Sequence, residues 1–194
     1  MEMQKLLSIV LTALLATMFF SSTVNAGDFK YVGVKKCKTC HKKEKIGDQY
    51  GKWLKDPHAK ALESLSSEKA LKYAKENGIA DPAKDPQCLN CHATMATIKK
   101  EEIDPKGKLT MEEGVSCESC HGPGSKYKSG KIMKKKLYDE DYDSAHKAAV
   151  AAGLLEPNEK VCLTCHNDKN PFHKEFKFAE RVKKIQHPIP YRKK

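Results

Sequence analysis

Large apolar side chains are scarce in this sequence. The 194 residues include one Trp, aromatic residues make up 7% of the chain, and 31% of the residues are charged. Only 39% of the residues are hydrophobic, even with the apolar N-terminal stretch counted. Burial of apolar surface offsets the conformational entropy lost on folding, and this chain has little such surface to bury. We therefore expect something other than side chains to supply much of the core.

Beyond the first 26 residues the sequence has no apolar run long enough to span a bilayer. The one apolar run, residues 6–20, follows Lys5 and precedes Val24-Asn25-Ala26, which offers the small residues that a signal peptidase reads. At about 15 residues it is shorter than the roughly 20 that a membrane helix needs. These features predict a secretory signal peptide over residues 1–26, with an uncleaved membrane anchor as the alternative. Residues 27–194 are then expected to form a single periplasmic or extracellular domain.

No cysteine lies outside one repeated pattern. Four Cys-x-x-Cys-His motifs contain all eight cysteines and four of the eight histidines, at Cys37, Cys40 and His41, at Cys88, Cys91 and His92, at Cys117, Cys120 and His121, and at Cys162, Cys165 and His166. Disulfide frameworks, zinc sites and redox dithiols do not require a histidine after the second cysteine. The pattern is the attachment signature of c-type haem, in which both cysteines form thioethers and the histidine ligates the iron. We predict four covalently bound haem c groups.

Four histidines lie outside the motifs, namely His58, His146, His173 and His187. Four irons need four sixth ligands if every iron is six-coordinate, and the two counts match. Methionine is the other common axial ligand, but only Met95, Met111 and Met133 follow residue 26. We predict that the four spare histidines are iron ligands. An ordinary surface histidine is the alternative for each.

Helix signals prevail over strand signals. Asp56 and Pro57 predict a helix start, as an N-cap followed by proline at the first helical position. Ser66 or Ser67 predicts the start of a second helix, which Gly78 ends. The expected fold class is mostly α, with irregular loops wrapped around the four haems.

Two further helices are predicted after the third motif. Residues 144–152 form a short Ala-rich helix that a glycine ends. A longer helix opens at an Asn-Pro pair and runs over residues 170–187, with apolar residues in helical rhythm. It would hold His173 and His187 roughly 21 Å apart, so that one helix reaches two different haems.

The predicted chemistry is electron transfer. An iron with histidine on both faces has no vacant position for substrate, so it exchanges electrons and does little else. No Cys-x-x-Cys-Lys motif of the pentahaem nitrite reductase type is present. Two alternatives remain: nitrogen-oxide or hydroxylamine chemistry at an open haem, and a conductive extracellular filament built from many subunits.

The charge balance bears on partners. The chain carries a formal net charge of +11, which the eight propionates of four haems lower to about +3, so a nucleic-acid partner is not expected. Six lysines nevertheless cluster in one short stretch, at Lys126, Lys128, Lys131, Lys134, Lys135 and Lys136. This lysine run predicts a docking patch for an acidic redox protein, with a solvated loop as the alternative.

Three segments carry a resemblance to a known family. The first is Trp53 followed by residues 56–65, the second is residues 114–124 around the third motif, and the third runs from Pro171-Phe172 to His187. Together they resemble the tetrahaem cytochrome c-554 family of ammonia-oxidising bacteria. That resemblance implies electron transfer downstream of hydroxylamine oxidation, through haems that lie in close, partly stacked pairs.

The resemblance also implies a ligand scheme. Carried over residue by residue, it assigns His58 to the haem of His121, His187 to the haem of His166, and His146 to the haem of His41. In the family the second haem, here that of His92, has no sixth protein ligand. This sequence departs from that pattern because His173 directly follows Pro171-Phe172, the segment that matches the open side. We predict that His173 ligates the haem of His92.

Overall fold

The computed structural model describes residues 29–187 and residue 190. The predicted signal peptide over residues 1–26 lies outside the described residues. Within the described part, no helix has the length and apolar character needed to cross a membrane.

Short helices joined by loops make up the described chain, which confirms the mostly α fold class. The α-helices are α1 (Val34–His41), α2 (Gln49–Lys55), α3 (Ala61–Ser64), α4 (Glu68–Glu76), α5 (Pro86–His92), α6 (Cys117–His121), α7 (Gly130–Met133), α8 (Lys135–Glu140), α9 (Tyr142–Ala151), α10 (Glu159–Leu163) and α11 (Phe178–Ile185). Single 3-10 turns lie at Glu44–Ile46, Pro57–Lys60, Thr94–Thr97, Lys100–Glu102 and Met111–Glu113. An isolated bridge pairs Tyr31 with Ile103, the one strand-like pairing between residues 29 and 187.

The two helix starts predicted before the second motif are confirmed. The Asp56 side chain accepts a hydrogen bond from the His58 backbone N–H at 3.0 Å and opens the Pro57–Lys60 turn, which leads into α3. The Ser67 hydroxyl accepts from the Ala70 N–H at 3.3 Å and caps α4. Gly78 follows α4 with a φ of +70°, a conformation that favours glycine.

Helix α9 begins two residues earlier than the Ala-rich segment predicts. The Asp141 side chain accepts from the Ser144 N–H at 3.1 Å, so Asp141 is the N-cap. Gly153, with a φ of +98°, follows the helix as predicted.

The long helix predicted over residues 170–187 is wrong in its first half. Helix α11 begins only at Phe178, and residues 171–177 form a turn and irregular chain. The Phe172 ring packs on Tyr73 with centroids 5.4 Å apart, and the Phe176 ring stacks on His166 at 4.8 Å. The apolar rhythm of this segment reflects two separate contacts rather than one helix face, so His173 and His187 do not share a helix.

The side-chain core is thin, as the composition predicts. One small cluster joins Leu65, Leu89 and Ala93, and no described residue after Ala149 is buried. Large apolar side chains such as Leu155 remain 51% exposed. A chain of this kind fits large apolar cofactors around which it can wrap.

Candidate haem-binding sites

Each Cys-x-x-Cys-His motif lies on or beside a short helix. Helices α1, α5 and α6 end on the motif histidines His41, His92 and His121. In the fourth motif the helical turn continues just beyond α10, because the His166 N–H donates to the Cys162 carbonyl at 2.9 Å. Residues three and four apart lie on one face of a helical turn, so both thiols and the imidazole of each motif point to the same side.

The fold brings cysteines of different motifs together. The thiol of Cys117 hydrogen-bonds that of Cys37 and raises the pKa of Cys37. The thiols of Cys91 and Cys165 also lie within hydrogen-bonding distance of each other. Cys120 lies close enough to the fourth-motif cysteines for their charges to act on its thiol. The attachment points of the first and third motifs are therefore neighbours, as are those of the second and fourth.

Two pairs of histidine rings face each other at a characteristic distance. The centroids of His58 and His166 are 6.0 Å apart, and those of His121 and His187 are 6.3 Å apart. Two imidazoles that ligate one iron at about 2 Å on opposite faces have ring centres about 6 Å apart. Both pairs thus fit a haem iron between them.

These pairs differ from the scheme that the resemblance implied, whose ligand assignments stay predictions. His58 lies beside His166 rather than His121, and His187 lies beside His121 rather than His166. The choice of partner depends on how the chain after α11 crosses the third motif, which the order of residues along the sequence does not specify.

Burial keeps several of these imidazoles neutral. Desolvation lowers the pKa of His121 to about 4 and also lowers the pKa of His166 and of His187. The neutral imidazole is the form that ligates a metal. The Nδ1 atom of His187 is buried without a hydrogen-bond partner among the described residues, which a purely structural histidine would rarely tolerate.

Three other histidines have a polar partner at Nδ1, which orients the ring and leaves Nε2 for a metal. The partners are Gln49 Oε1 at 3.1 Å for His41, Asp56 Oδ1 at 2.7 Å for His58, and the Ala61 carbonyl at 2.7 Å for His92. The N-cap Asp56 therefore also orients a predicted iron ligand.

The remaining two predicted ligands are not paired with a motif histidine. The His146 ring stacks on Tyr142 at 5.6 Å, and its Nε2 lies 3.4 Å from Glu156 Oε1. His173 is exposed in the turn before Phe176. Among the described residues, neither ring contacts that of His41 or His92, so their ligand roles stay predictions.

The loop before the third motif connects the first two of the three segments that carry the family resemblance. The Val115 N–H donates to the His58 carbonyl at 3.0 Å, and the Trp53 indole N–H donates to the Val115 carbonyl at 2.9 Å. At Gly114, whose φ is +60°, a Cβ atom would lie 2.8 Å from the His58 carbonyl oxygen. Only glycine permits this approach, which holds the third motif against the turn that carries His58.

Sequence reasoning missed a buried glutamate inside the third motif. Glu118 is 2% exposed, and its carboxylate accepts from the N–H groups of Val32 at 3.0 Å, Gly33 at 2.8 Å and Gly124 at 2.7 Å. Burial raises its pKa, and these donors oppose the shift. The residue ties the chain before α1 to the third motif. The positions between the two cysteines of a motif have no required chemistry, so the sequence gives no signal for this role.

A second buried glutamate, Glu113, was also missed. It is 6% exposed, and its Oε2 accepts from the Val34 N–H at 3.0 Å. Burial raises the pKa of Glu113 to about 7. Its Oε1 is buried with no hydrogen-bond partner in the described part of the chain.

Comparison with known proteins identifies the family of the chain. The sequence model of the family described as cytochrome c554 and c-prime matches residues 36–122, which include the first three motifs and His58. Cytochrome c-554 of Nitrosomonas europaea is 32% identical to this chain, over 83% of this chain and 75% of that protein. This chain belongs to the cytochrome c554 family. The structure of the reduced state of cytochrome c554 from Nitrosomonas europaea matches with a TM-score of 0.54 and 28% identity, over 80% of this chain and 82% of that one.

Membership of the cytochrome c554 family confirms two predictions. The protein is a c-type cytochrome of electron transfer, and its cofactors are four covalently bound haems. Haem supplies an iron that takes up and releases one electron.

Proposed function

We propose that residues 27–194 form one periplasmic tetrahaem unit that carries electrons between redox proteins. In this proposal the eight motif cysteines attach the haems and the four motif histidines are the proximal iron ligands. The observation that supports this proposal most directly is the distance between ring centroids within the two histidine pairs, 6.0 Å in one pair and 6.3 Å in the other. An iron with imidazole on both faces offers no site for a substrate and is suited to electron exchange.

The distal ligands follow from the same pairs. We assign His58 to the haem of His166 and His187 to the haem of His121. Asp56 orients the His58 ring through Nδ1 and leaves Nε2 for the iron. His146 remains the spare histidine available to the haem of His41.

The cysteine contacts support an order of the attachment sites. Cys37 neighbours Cys117, Cys120 neighbours the fourth motif, and Cys165 neighbours Cys91. The attachment sites thus follow one another in the spatial order first, third, fourth and second motif.

Electron paramagnetic resonance of the oxidised protein tests the ligand assignment. The haem of His166 should be low-spin, and His58→Ala should convert it to a high-spin, ligand-binding haem. Lys60→Ala, at an exposed position of the turn that carries His58, is the matched control and should leave that haem low-spin. A spectrum that His58→Ala leaves unchanged would refute the assignment of His58.

A second candidate function has its own observation. His173 is exposed, and no ring contact joins it to His92 within the described part of the chain. This favours an open iron at the haem of His92 that binds nitric oxide, nitrite or hydroxylamine. If His173 instead ligates this iron, as the sequence predicts, the oxidised protein is wholly low-spin and His173→Ala creates one high-spin haem. An open site shows a high-spin signal in the unsubstituted protein, and His173→Ala does not change that signal.

The lysine run supports an electrostatic docking surface. Lys135 and Lys136 form ion pairs with Asp139 at 2.6 Å and Glu140 at 3.5 Å. The other lysines, at 126, 128, 131 and 134, form no ion pair with any described residue. Their neutralisation should slow electron transfer to an acidic redox protein at low salt, with an effect that shrinks as salt screens the charges. An unchanged rate at low salt would make the run a solvated loop.

A further inference from the structure

Two buried carboxylates near the first and third motifs differ in how many hydrogen bonds they accept. Glu118 accepts from three backbone N–H groups, one of which lies within 3.0 Å of both carboxylate oxygens. Among the described residues, Glu113 accepts from the Val34 N–H alone, and its other oxygen is buried without a partner. An ionised carboxylate only accepts, whereas the protonated acid also donates. The hydrogen-bond donors around Glu118 therefore favour its ionised form, whereas the hydrogen bonding of Glu113 is compatible with the protonated acid.

Glu113 is close to the attachment points of two haems. It ends the Met111–Glu113 turn, and its Oε2 is bonded to the first turn of α1, which carries Cys37. Its charge acts on the thiols of both Cys37 and Cys117, which attach the first and third haems. A change of charge on either haem must in turn act on Glu113, because such coupling is reciprocal.

The charged groups around Glu113 are few. Burial is the main reason for its raised pKa. The carboxylates of Glu118 and Glu112 add to the shift, and Lys35 opposes it. Helix α3, which packs against this turn, contributes only the exposed Glu63, and the Thr94–Thr97 turn contributes no ionisable residue.

We propose that Glu113 is a proton-binding site that couples proton uptake to reduction of the haems of the first and third motifs. The inference rests on the proposed electron-transfer function. An electron from the redox donor converts a ferric iron to ferrous and removes one positive charge near Glu113. The carboxylate then takes one proton from solvent and becomes the neutral acid. Oxidation by the acceptor reverses both changes, so the local net charge is conserved.

Proton uptake on reduction tests the proposal. The holoprotein is reduced in weakly buffered solution with a pH indicator, and electrons and protons are counted together. The wild-type protein should take up a fraction of one proton that is largest around neutral pH and falls off at lower and higher pH. Glu113→Gln should lose this uptake. Glu112→Gln, an exposed neighbour on the same turn, should keep it.

Several outcomes would overturn the coupling. Wild-type uptake that persists in Glu113→Gln would place the proton elsewhere, for instance on the haem propionates. If Glu113→Gln does not fold, Lys35→Gln provides the second test. Because Lys35 favours the ionised carboxylate, its removal should move the uptake window to higher pH, and an unmoved window contradicts the proposal. Electron uptake without protons would overturn the coupling alone, whereas a protein that accepts no electrons would overturn the proposed function.

Discussion

Residues 29–124 and residues 152–187 are held in place by different kinds of contact. In the first region, the Glu118 carboxylate accepts hydrogen bonds from residues 85 and 86 positions away, and the Trp53 indole donates one to a residue 62 positions away. In the second, the side-chain hydrogen bonds link residues within four positions of each other, except one weak contact from Cys165 to the Asn90 carbonyl at 4.0 Å. The second region also has no buried residue among those described.

Aromatic contacts join the second region to the rest, together with a backbone hydrogen bond from Leu155 to the His121 carbonyl at 2.9 Å and the ion pair of Glu156 with His146 at 3.4 Å. His166 faces His58, His187 faces His121, and Phe172 packs on Tyr73. Two of these three contacts are the proposed iron-ligand pairs. A polar scaffold therefore fixes the first three motifs, whereas the position of the fourth depends on the cofactors and their ligands.

Removal of the fourth attachment site should have the largest effect on this contrast. Cys162→Ala combined with Cys165→Ala should lower the haem count from four to three in a pyridine haemochrome assay. Residues 152–187 should then become sensitive to protease, because little else holds them, while amide protection in residues 29–124 persists. Equal loss of protection in both regions would contradict the comparison.

The polar scaffold can be broken at Glu118. Glu118→Gln keeps the shape but turns one acceptor into a donor that faces backbone N–H groups. We expect a loss of about 3 kcal/mol in the free energy of unfolding, measured with denaturant. Glu156→Gln, at a side chain that is 73% exposed in the second region, is the control and should change stability by less than about 0.5 kcal/mol. Similar effects at the two sites would remove the distinction.

Glu113 should give the scaffold a pH dependence. Its folded pKa of about 7 lies above the ordinary value of 4.5, so the folded state binds this proton more tightly than the unfolded state. The resulting stabilisation is full below the ordinary pKa and is lost as pH rises through about 7. The contribution is about 3 kcal/mol at most. Unfolding at several pH values should show this decline in the wild type and in Glu112→Gln, and its absence in Glu113→Gln.

The smallest effect is expected at an aromatic contact of the second region. Phe172 is 44% exposed, packs on Tyr73, and lies under the Lys69 ammonium at 4.0 Å. Phe172→Ala should lower the free energy of unfolding by about 1 kcal/mol. Leu71 is 51% exposed on α4, the helix that also carries Tyr73 and Lys69. Leu71→Ala should lower the free energy of unfolding by less than Phe172→Ala does. A loss at Phe172 as large as that at Glu118 would mean that side chains rather than cofactors hold the second region.

Local signals predicted local structure well. Asp56 and Ser67 cap helices through contacts within three residues, so the sequence alone identifies them. The segment over residues 170–187 failed because apolar rhythm does not distinguish one helix face from separate contacts with Tyr73 and His166. A periodic pattern is therefore weaker evidence where cofactors and their ligands provide the packing surface.

The haem sites divide in the same way. The motifs and the cofactor were predictable because thioether attachment requires a fixed spacing. The partner of each distal histidine stays a prediction, since it depends on which chain segments cross in space. The roles of Glu113 and Glu118 could not be predicted for a related reason. Their carboxylates accept from backbone N–H groups of residues some 80 positions away along the chain.

The contact between Cys37 and Cys117 has a consequence for how the protein is made. A chain that reached this fold before receiving its haems would bring two pairs of thiols together, at Cys37 with Cys117 and at Cys91 with Cys165. In an oxidising compartment such pairs close into disulfides, which would block both sulfurs from thioether formation. In such a compartment we expect haem attachment to an extended chain, with folding as the later step.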